Sequence, residues 1–315
     1  MRFSLKFSIR ILLFSLLVFF VASKLNIDDF FKSFWLIDNK YFLYAITYFL
    51  VYPWFGILRW KKLVSICYQI RFLKAAKIYF FGEGLNLMLP SKLGDLSKAA
   101  FLKRYKICPL PYANGTVIYE KILDLLSIVT IFLVSFFFKE DFTLNNQDQI
   151  FTYIFILFLC ILIIFNLHRT GDVIESLAPL RYRNVVLSII NFLKFFKILK
   201  QNLFSIFLFL LFSILFWAGH IFQIYLFILA ANIDITYSQA LLYIPIVLII
   251  SLIPVSIAGF GTREISLLYF FEGLTSPENI VLASLMISLR YFIPGFLGLS
   301  LLLLLGEQPF KQKKS

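Results

Sequence analysis

Ile78–Pro90 reads IYFFGEGLNLMLP, and whether this stretch crosses a membrane decides the topology of the rest of the chain. It is apolar at both ends, yet Glu83, Asn86 and two glycines interrupt it. Crossing a hydrocarbon core about 30 Å thick takes roughly 20 apolar residues as helix, so the stretch is short as well as broken. Both flanks are basic: Arg59, Lys61, Lys62, Arg71, Lys74 and Lys77 precede it, and Lys92, Lys98, Lys103, Arg104 and Lys106 follow. Lys and Arg gather on one side of a membrane, so the segment is expected to dip in and return on the side it left.

The composition supports a membrane setting. Of 315 residues, 61% are hydrophobic and 15% charged, with 40 phenylalanines. A soluble chain carries about 45–50% apolar and about 25% charged residues. A mean hydropathy of +0.88 points the same way. These values exclude most soluble enzymes and make nucleic acid a poor partner for the net charge of +13, which must be read by position instead. Chemistry has few handles. Cys67, Cys108 and Cys160 have no metal-ligand spacing, His168 and His220 are the only histidines, and no HExxH, Walker A or GxSxG motif occurs. Neither a metal nor a cofactor is expected.

Six segments approach spanning length: Ile9–Ala22, Tyr41–Leu58, Thr116–Phe138, Ile150–Leu167, Leu203–Ala231 and Val281–Gly306. The first is short and follows Arg2, Lys6 and Arg10, a pattern shared with signal peptides; an uncleaved helix is preferred because the chain soon returns to the membrane. With both termini in the cytoplasm, 24 of the 30 Lys and Arg fall on that side. A second broken stretch, Ala240–Pro254 (ALLYIPIVLIISLIP), then enters from the opposite face, between Asp234 and Glu272. Arg59–Lys77 alternates bases with apolar residues and reads as an interfacial helix on an anionic leaflet.

The two broken stretches share a plan. Each has an apolar lead-in, a proline, a small flexible run and an acid at a new helix start: Pro90, Gly94 and Asp95 in one, Pro254, Gly259, Gly261 and Glu264 in the other. The fold class expected is an all-α integral membrane protein, a single domain over residues 1–315. It has six spanning helices and two oppositely oriented re-entrant hairpins, about 78–106 and 240–275, as an inverted repeat of the kind that builds mid-membrane sites in transporters.

Glu83, Glu120, Asp124, Arg263, Glu264 and Arg290 fall in or near the membrane zone. A central charge costs about 2.5–3.5 kcal/mol on insertion scales, so these groups must be paired, wetted or interfacial. Glu120 and Asp124 share a helical face, and Arg263, Arg290, Lys92 and Lys98 supply the opposite sign. One reading is a set of salt bridges that fixes packing; the other is a polar cavity for a charged lipid headgroup, which His220 and Gln223 also line. A general acid–base pair is a third, without a nucleophile to serve.

The segments around both stretches resemble the lysylphosphatidylglycerol synthase transmembrane-region family, also called flippase-like or UPF0104 proteins. Asn86-Leu-Met-Leu-Pro90-Ser91-Lys92-Leu-Gly94-Asp95, leading to Glu120-Lys121-Ile-Leu-Asp124, is similar to the family's N-x-x-x-P-x-R-x-G-E and E-R-x-x-D. Pro254-Val-Ser256-Ile-Ala-Gly259-Phe-Gly261-Thr-Arg263-Glu264 is similar to P-x-S-x-x-G-x-G-x-R-E. Lys92 stands for the usual Arg, Asp95 for Glu and Lys121 for Arg; lysine keeps the charge but loses the planar fork that suits phosphate.

The resemblance implies a flippase-like transmembrane domain without the soluble synthase, and so a transporter rather than an enzyme. The expected cargo is an anionic or modified phospholipid, or a polyprenyl-phosphate-linked glycolipid, crossing a bacterial inner membrane. Lys92, Arg263 and Arg290 would meet the phosphate. Glu83, Asp95, Glu120, Asp124 and Glu264, with Asn86, Ser91 and Ser256 of the motifs, would complete the substrate-binding set, and one repeat would rock against the other. Membrane lipids are the expected partners. A rival expectation is an accessory or scaffold subunit for a lipid or cell-envelope glycosyltransferase.

Overall fold

A computed structural model describes residues 15, 17, 19–89, 94–136, 203–251 and 261–307. The expected spans Ile9–Ala22, in large part, and Ile150–Leu167 lie outside these residues, as do Pro90, Ser91, Lys92, Pro254, Ser256 and Gly259. Every regular element among the described residues is helical.

α1 (Ile27–Trp35) starts at Asn26, whose side chain accepts from the Asp28 and Asp29 amides and so satisfies two of the orphan donors of a helix start. It buries no residue, and Ile27, Phe31, Phe34 and Trp35 are exposed. α2 (Asn39–Thr47), a 3-10 turn (Tyr48–Leu50) and α3 (Tyr52–Ser65) follow in one line of chain. The helix type changes next to Pro53, which lacks a backbone donor. α4 is Phe72–Met88, α5 Leu96–Arg104 and α6 Leu110–Phe136. After the undescribed stretch come α7 (Leu203–Ala230), α8 (Tyr237–Ile250), α9 (Thr262–Phe270) and α10 (Pro277–Leu304).

Three helical runs among the described residues are long and apolar enough to cross a membrane: Asn39–Ser65, Phe204–Ala230 and Pro277–Leu304. α6 matches them in length at 27 residues but carries Glu120, Lys121 and Asp124 in its middle third. The outward faces of these helices bear large apolar side chains, among them Phe204, Phe207, Leu215 and Leu303, as lipid contact requires.

The sequence-based interfacial helix Arg59–Lys77 is not one helix. α3 ends at Ser65 and α4 begins at Phe72, and Arg59 is buried rather than laid on a surface. Its charge is neutralised by carboxylates, a partnership that alternation along the sequence does not reveal. The Gly82-Glu83-Gly84 triplet does not break α4, which runs through it for 17 residues. At 1.5 Å per residue α4 is about 25 Å long, short of the hydrocarbon thickness. α8, at 14 residues, is shorter still.

The chain divides into two compact units. The first comprises Met1–Pro53, Glu83–Gly94 and Ala218–Ser300; the second comprises Trp54–Gly82, Asp95–Trp217 and Leu301–Ser315. In the second, Ile57, Trp60, Leu63, Ala75, Ile78, Phe81, Phe101 and Leu102 form the apolar interior, with the Phe81 and Phe101 rings 4.8 Å apart. Leu63, Tyr119, Leu123 and Phe209 make a further cluster there. In the first, Ala45, Ile221, Phe227, Ile244, Leu267 and Ile287 are buried. The backbone of Gly84 lies against Gly298 and Leu299, where an added Cβ would come within 2.6 Å of the Leu299 nitrogen, and Gly295 meets Leu87. Close helix approach at small residues is how apolar helices associate without a hydrophobic driving force.

Element order repeats. A nine-residue helix (α5, α9) precedes a helix of 27 or 28 residues (α6, α10) in each half of the sequence.

Candidate functional site

In the second unit, α5 opens with Asp95 and carries Lys98 in its first turn. A base at a helix start opposes the dipole, so it needs acids at hand. Lys98 Nζ lies 2.5 Å from Glu120 Oε2 and 3.5 Å from Asp95 Oδ1. Arg59 reaches Asp124 at 2.7 Å and Glu120 at 3.3 Å. Lys121 closes the ring, 2.5 Å from Asp95 and 3.4 Å from Asp124. Trp217 donates its indole N–H to Asp124 at 2.9 Å, and Arg59 donates to the Ser213 hydroxyl at 2.9 Å. The Phe216 ring covers the Arg59 guanidinium at 4.7 Å, and Trp60 and Tyr79 face Lys98. Gly82 makes room for the Lys98 stem, which a Cβ would touch at 3.0 Å.

Three bases and three acids therefore form a network of zero formal charge. Each acid meets two bases and each base meets two acids. All of it is buried except Lys121, whose side chain is 43% exposed. Such a network leaves no net charge for a ligand to neutralise, and among the described residues Arg59 Nε is a member donor without a hydrogen-bond partner.

The first unit is organised differently. Gly261 has φ +89°, a left-handed conformation, and a Cβ there would meet Leu17. That turn presents the Gly261 N–H to the Glu264 carboxylate and starts α9. Arg263 donates to Glu264 Oε1 at 3.0 Å, to Ser284 Oγ at 2.7 Å and to Ser288 Oγ at 2.6 Å. A first-turn base of the short helix is thus tied to the following long helix, as Lys98 is in the second unit. Arg263 and Glu264 form a second neutral pair.

Arg290, in the middle of α10, is 4% exposed. Its Nη2 contacts His220 Nδ1 on α7, while among the described residues its Nε and Nη1 have no hydrogen-bond partner. Among the described residues no carboxylate lies within ion-pair distance of Arg290, whereas Arg59, Lys98, Lys121 and Arg263 each have one. Tyr52 packs edge-on against His220, ring centroids 4.6 Å apart, and the charges of Glu83 and Arg290 both bear on its hydroxyl.

Of the residues singled out in the sequence, Asp95, Glu120 and Asp124 come together in one network, joined by Lys98. Arg263 meets Glu264, Glu83 sits within α4, and Asn86 abuts Gly94, where an added Cβ would collide with the Asn86 backbone. Gln223 donates to the Ala45 carbonyl, a helix-packing bond. Sequence reading missed Arg59, Lys121, Ser213, Trp217, Ser284 and Ser288 as partners. The i, i+4 spacing of Ser213–Trp217 and of Ser284–Ser288 is the only signal they carry. Among the described residues no three His, Cys, Asp or Glu side chains gather as a metal-ligand set.

Residues 7–298 match the family described as the lysylphosphatidylglycerol synthase TM region. A UPF0104 membrane protein of Methanocaldococcus jannaschii is 21% identical over 277 residues, covering 81% of this chain and 82% of that relative. A second UPF0104 membrane protein of the same archaeon is 26% identical over 191 residues, 60% of this chain and 79% of the relative. No solved structure matches at a significant level. The match over nearly the whole chain and the span-length apolar helices give one conclusion: this is a multi-pass membrane protein that belongs to the lysylphosphatidylglycerol synthase transmembrane-region family.

Proposed function

We propose that this protein is a lipid flippase or transporter. It moves an anionic or modified phospholipid, or a polyprenyl-phosphate-linked glycolipid, across an inner membrane and catalyses no covalent chemistry. Arg290 carries this reading: a buried cation in a span-length helix, with two guanidinium nitrogens unfilled, in a family named for a lipid-modifying synthase. A guanidinium stays charged at any working pH, and a phosphate oxyanion offers the acceptors it lacks. The self-neutralised network around Glu120 is the framework that holds α3, α5 and α6 in place rather than the headgroup contact.

The short helices α4 and α8 support two re-entrant segments entering from opposite faces, and the distribution of Lys and Arg supports cytoplasmic termini. The exposed apolar face of α1 suits a helix lying in the headgroup layer.

The test is translocation of fluorescent phosphatidylglycerol in proteoliposomes, read by the fraction of probe protected from an external quencher. The wild type is expected to equilibrate the probe between leaflets, with Arg290→Gln reduced to the rate of empty vesicles. Equal rates in wild-type and empty vesicles would overturn the proposal.

One observation favours a second reading. The closed charge network fits a scaffold subunit for a lipid or cell-envelope glycosyltransferase. Stable co-purification of such an enzyme, with Arg290→Gln silent in the cell, would select that reading.

A further inference from the structure

Resting on the reading of Arg290 as an anion site, we propose that Arg290 and His220 form a proton-linked phosphate-binding pair, in which a phosphate-ester oxyanion binds together with one proton taken up by His220. A guanidinium holds an oxyanion best through two N–H groups on one edge. Nη2 takes part in both edges that offer such a fork, Nη1 with Nη2 and Nε with Nη2, through a different N–H in each. That nitrogen is already engaged: it lies 2.5 Å from His220 Nδ1. Arginine only donates, so Nδ1 is the acceptor, and His220 is neutral with its ring hydrogen on Nε2. The His220 lone pair therefore occupies one edge of the guanidinium, and an oxyanion on that edge competes with it for the Nη2 hydrogen.

Protonation of His220 ends the competition. It consumes the Nδ1 lone pair, frees Nη2 and turns the ring into a second donor facing the site. Two adjacent positive charges repel in the absence of an anion, and an oxyanion between them removes that repulsion. Proton and anion thus favour each other's binding, and the linkage is reciprocal.

Among the described residues, three tyrosines and one carboxylate lie in the surroundings of His220. Tyr52 lies against the ring, the Tyr48 hydroxyl lies against neighbouring Gly219, and Tyr291 follows Arg290 in α10 with its ring 5.6 Å from the guanidinium. Glu83 is a carboxylate whose charge bears on Tyr52. Among the described residues of the second unit, Arg59, Lys98 and Lys121 are each held by two carboxylates.

The ligand chemistry, a phosphate ester or phosphate oxyanion, is shared by lipid headgroups and free phosphate. Titration of the full-length protein in detergent with dihexanoylphosphatidylglycerol, and separately with inorganic phosphate, distinguishes them. The phosphodiester keeps one charge from about pH 8 to about pH 5, so a change in its affinity reports the protein.

The wild type is expected to bind the short-chain lipid more tightly on acidification, by up to about tenfold per pH unit. His220→Gln, whose amide oxygen still accepts from Arg290, is expected to bind with a flat pH profile. Arg290→Gln is expected to bind at least about tenfold more weakly at every pH. Arg290→Lys, which keeps the charge, serves if that variant fails to fold. Binding of the lipid alone assigns the site to a headgroup, and equal binding of inorganic phosphate assigns it to the free anion. A wild-type pH profile retained in His220→Gln, undiminished binding by both Arg290 variants, or no binding of either probe by the wild type would overturn the pair. Translocation is scored separately. Proton-linked binding without lipid movement leaves the pair standing and removes the flippase reading; lipid movement without proton-linked binding does the reverse.

Discussion

Lys98 Nζ stands 2.5 Å from Glu120 Oε2, so one buried ammonium ties the first turn of a nine-residue helix to the 27-residue helix that follows it. Removing one partner of such a pair strands the other in an apolar interior, at a cost of about 3–5 kcal/mol. Lys98→Met and Glu120→Leu are each expected to lower the melting temperature in detergent. The double substitution should be milder than the sum of the singles. Additive losses in a double-mutant cycle would show that the two charges do not interact.

Gly84→Ala places a methyl against the backbone of Gly298 and Leu299, which cannot turn aside. Overpacking of this kind costs about 1–3 kcal/mol. Gly82→Ala meets only the flexible Lys98 stem and is expected to cost less. Thermal denaturation of the two variants side by side checks the order; the reverse order would contradict the close helix approach at Gly84.

The fold and the charge set were legible to different degrees. Three of the six expected spans, Tyr41–Leu58, Leu203–Ala231 and Val281–Gly306, coincide with helical runs long and apolar enough to cross a membrane, and Asp95, Glu120 and Asp124 stood out as acids in apolar surroundings. Arg59 was not legible as a network member. A base at the end of an apolar run reads equally well as an interfacial anchor, and its partners are 61 and 65 positions away on another helix. The Arg290–His220 contact joins residues 70 apart. Each was visible as an isolated charge or ring, but only the packing of α7 with α10 makes them a pair. Lys121 was read as standing for the Arg of a motif and proved to be a bridge between Asp95 and Asp124.

Arg263 uses the fork of its guanidinium to reach Glu264, Ser284 and Ser288 at once. Lysine keeps the charge but offers one point of contact. Arg263→Lys is therefore expected to destabilise the protein by about 1–3 kcal/mol, the scale of a stranded buried hydrogen-bonding group. Ser284→Ala should cost part of that. A melting temperature unchanged in Arg263→Lys would mean that charge alone matters at this position.

Cys108, in the loop between α5 and α6, is buried, and burial pushes its thiol up to about 12; Cys67 is also raised, but is half-buried. The reactive species is the thiolate, whose fraction grows as pH rises toward the thiol's own value. Maleimide labelling of single-cysteine variants is therefore expected to be slow for both at neutral pH, to speed up first for Cys67 as pH rises, and to stay slow at Cys108. Faster labelling of Cys108 at any pH up to about 9 would contradict its burial.

Native mass spectrometry of the purified protein reads the central claim most directly, by counting the phosphate-bearing lipid that stays bound at Arg290. The wild type is expected to retain one such lipid per chain, Arg290→Gln to lose it, and the Lys98→Met/Glu120→Leu double variant to keep it. Equal retention by the wild type and Arg290→Gln, or loss confined to the double variant, would contradict the assignment of the headgroup to Arg290.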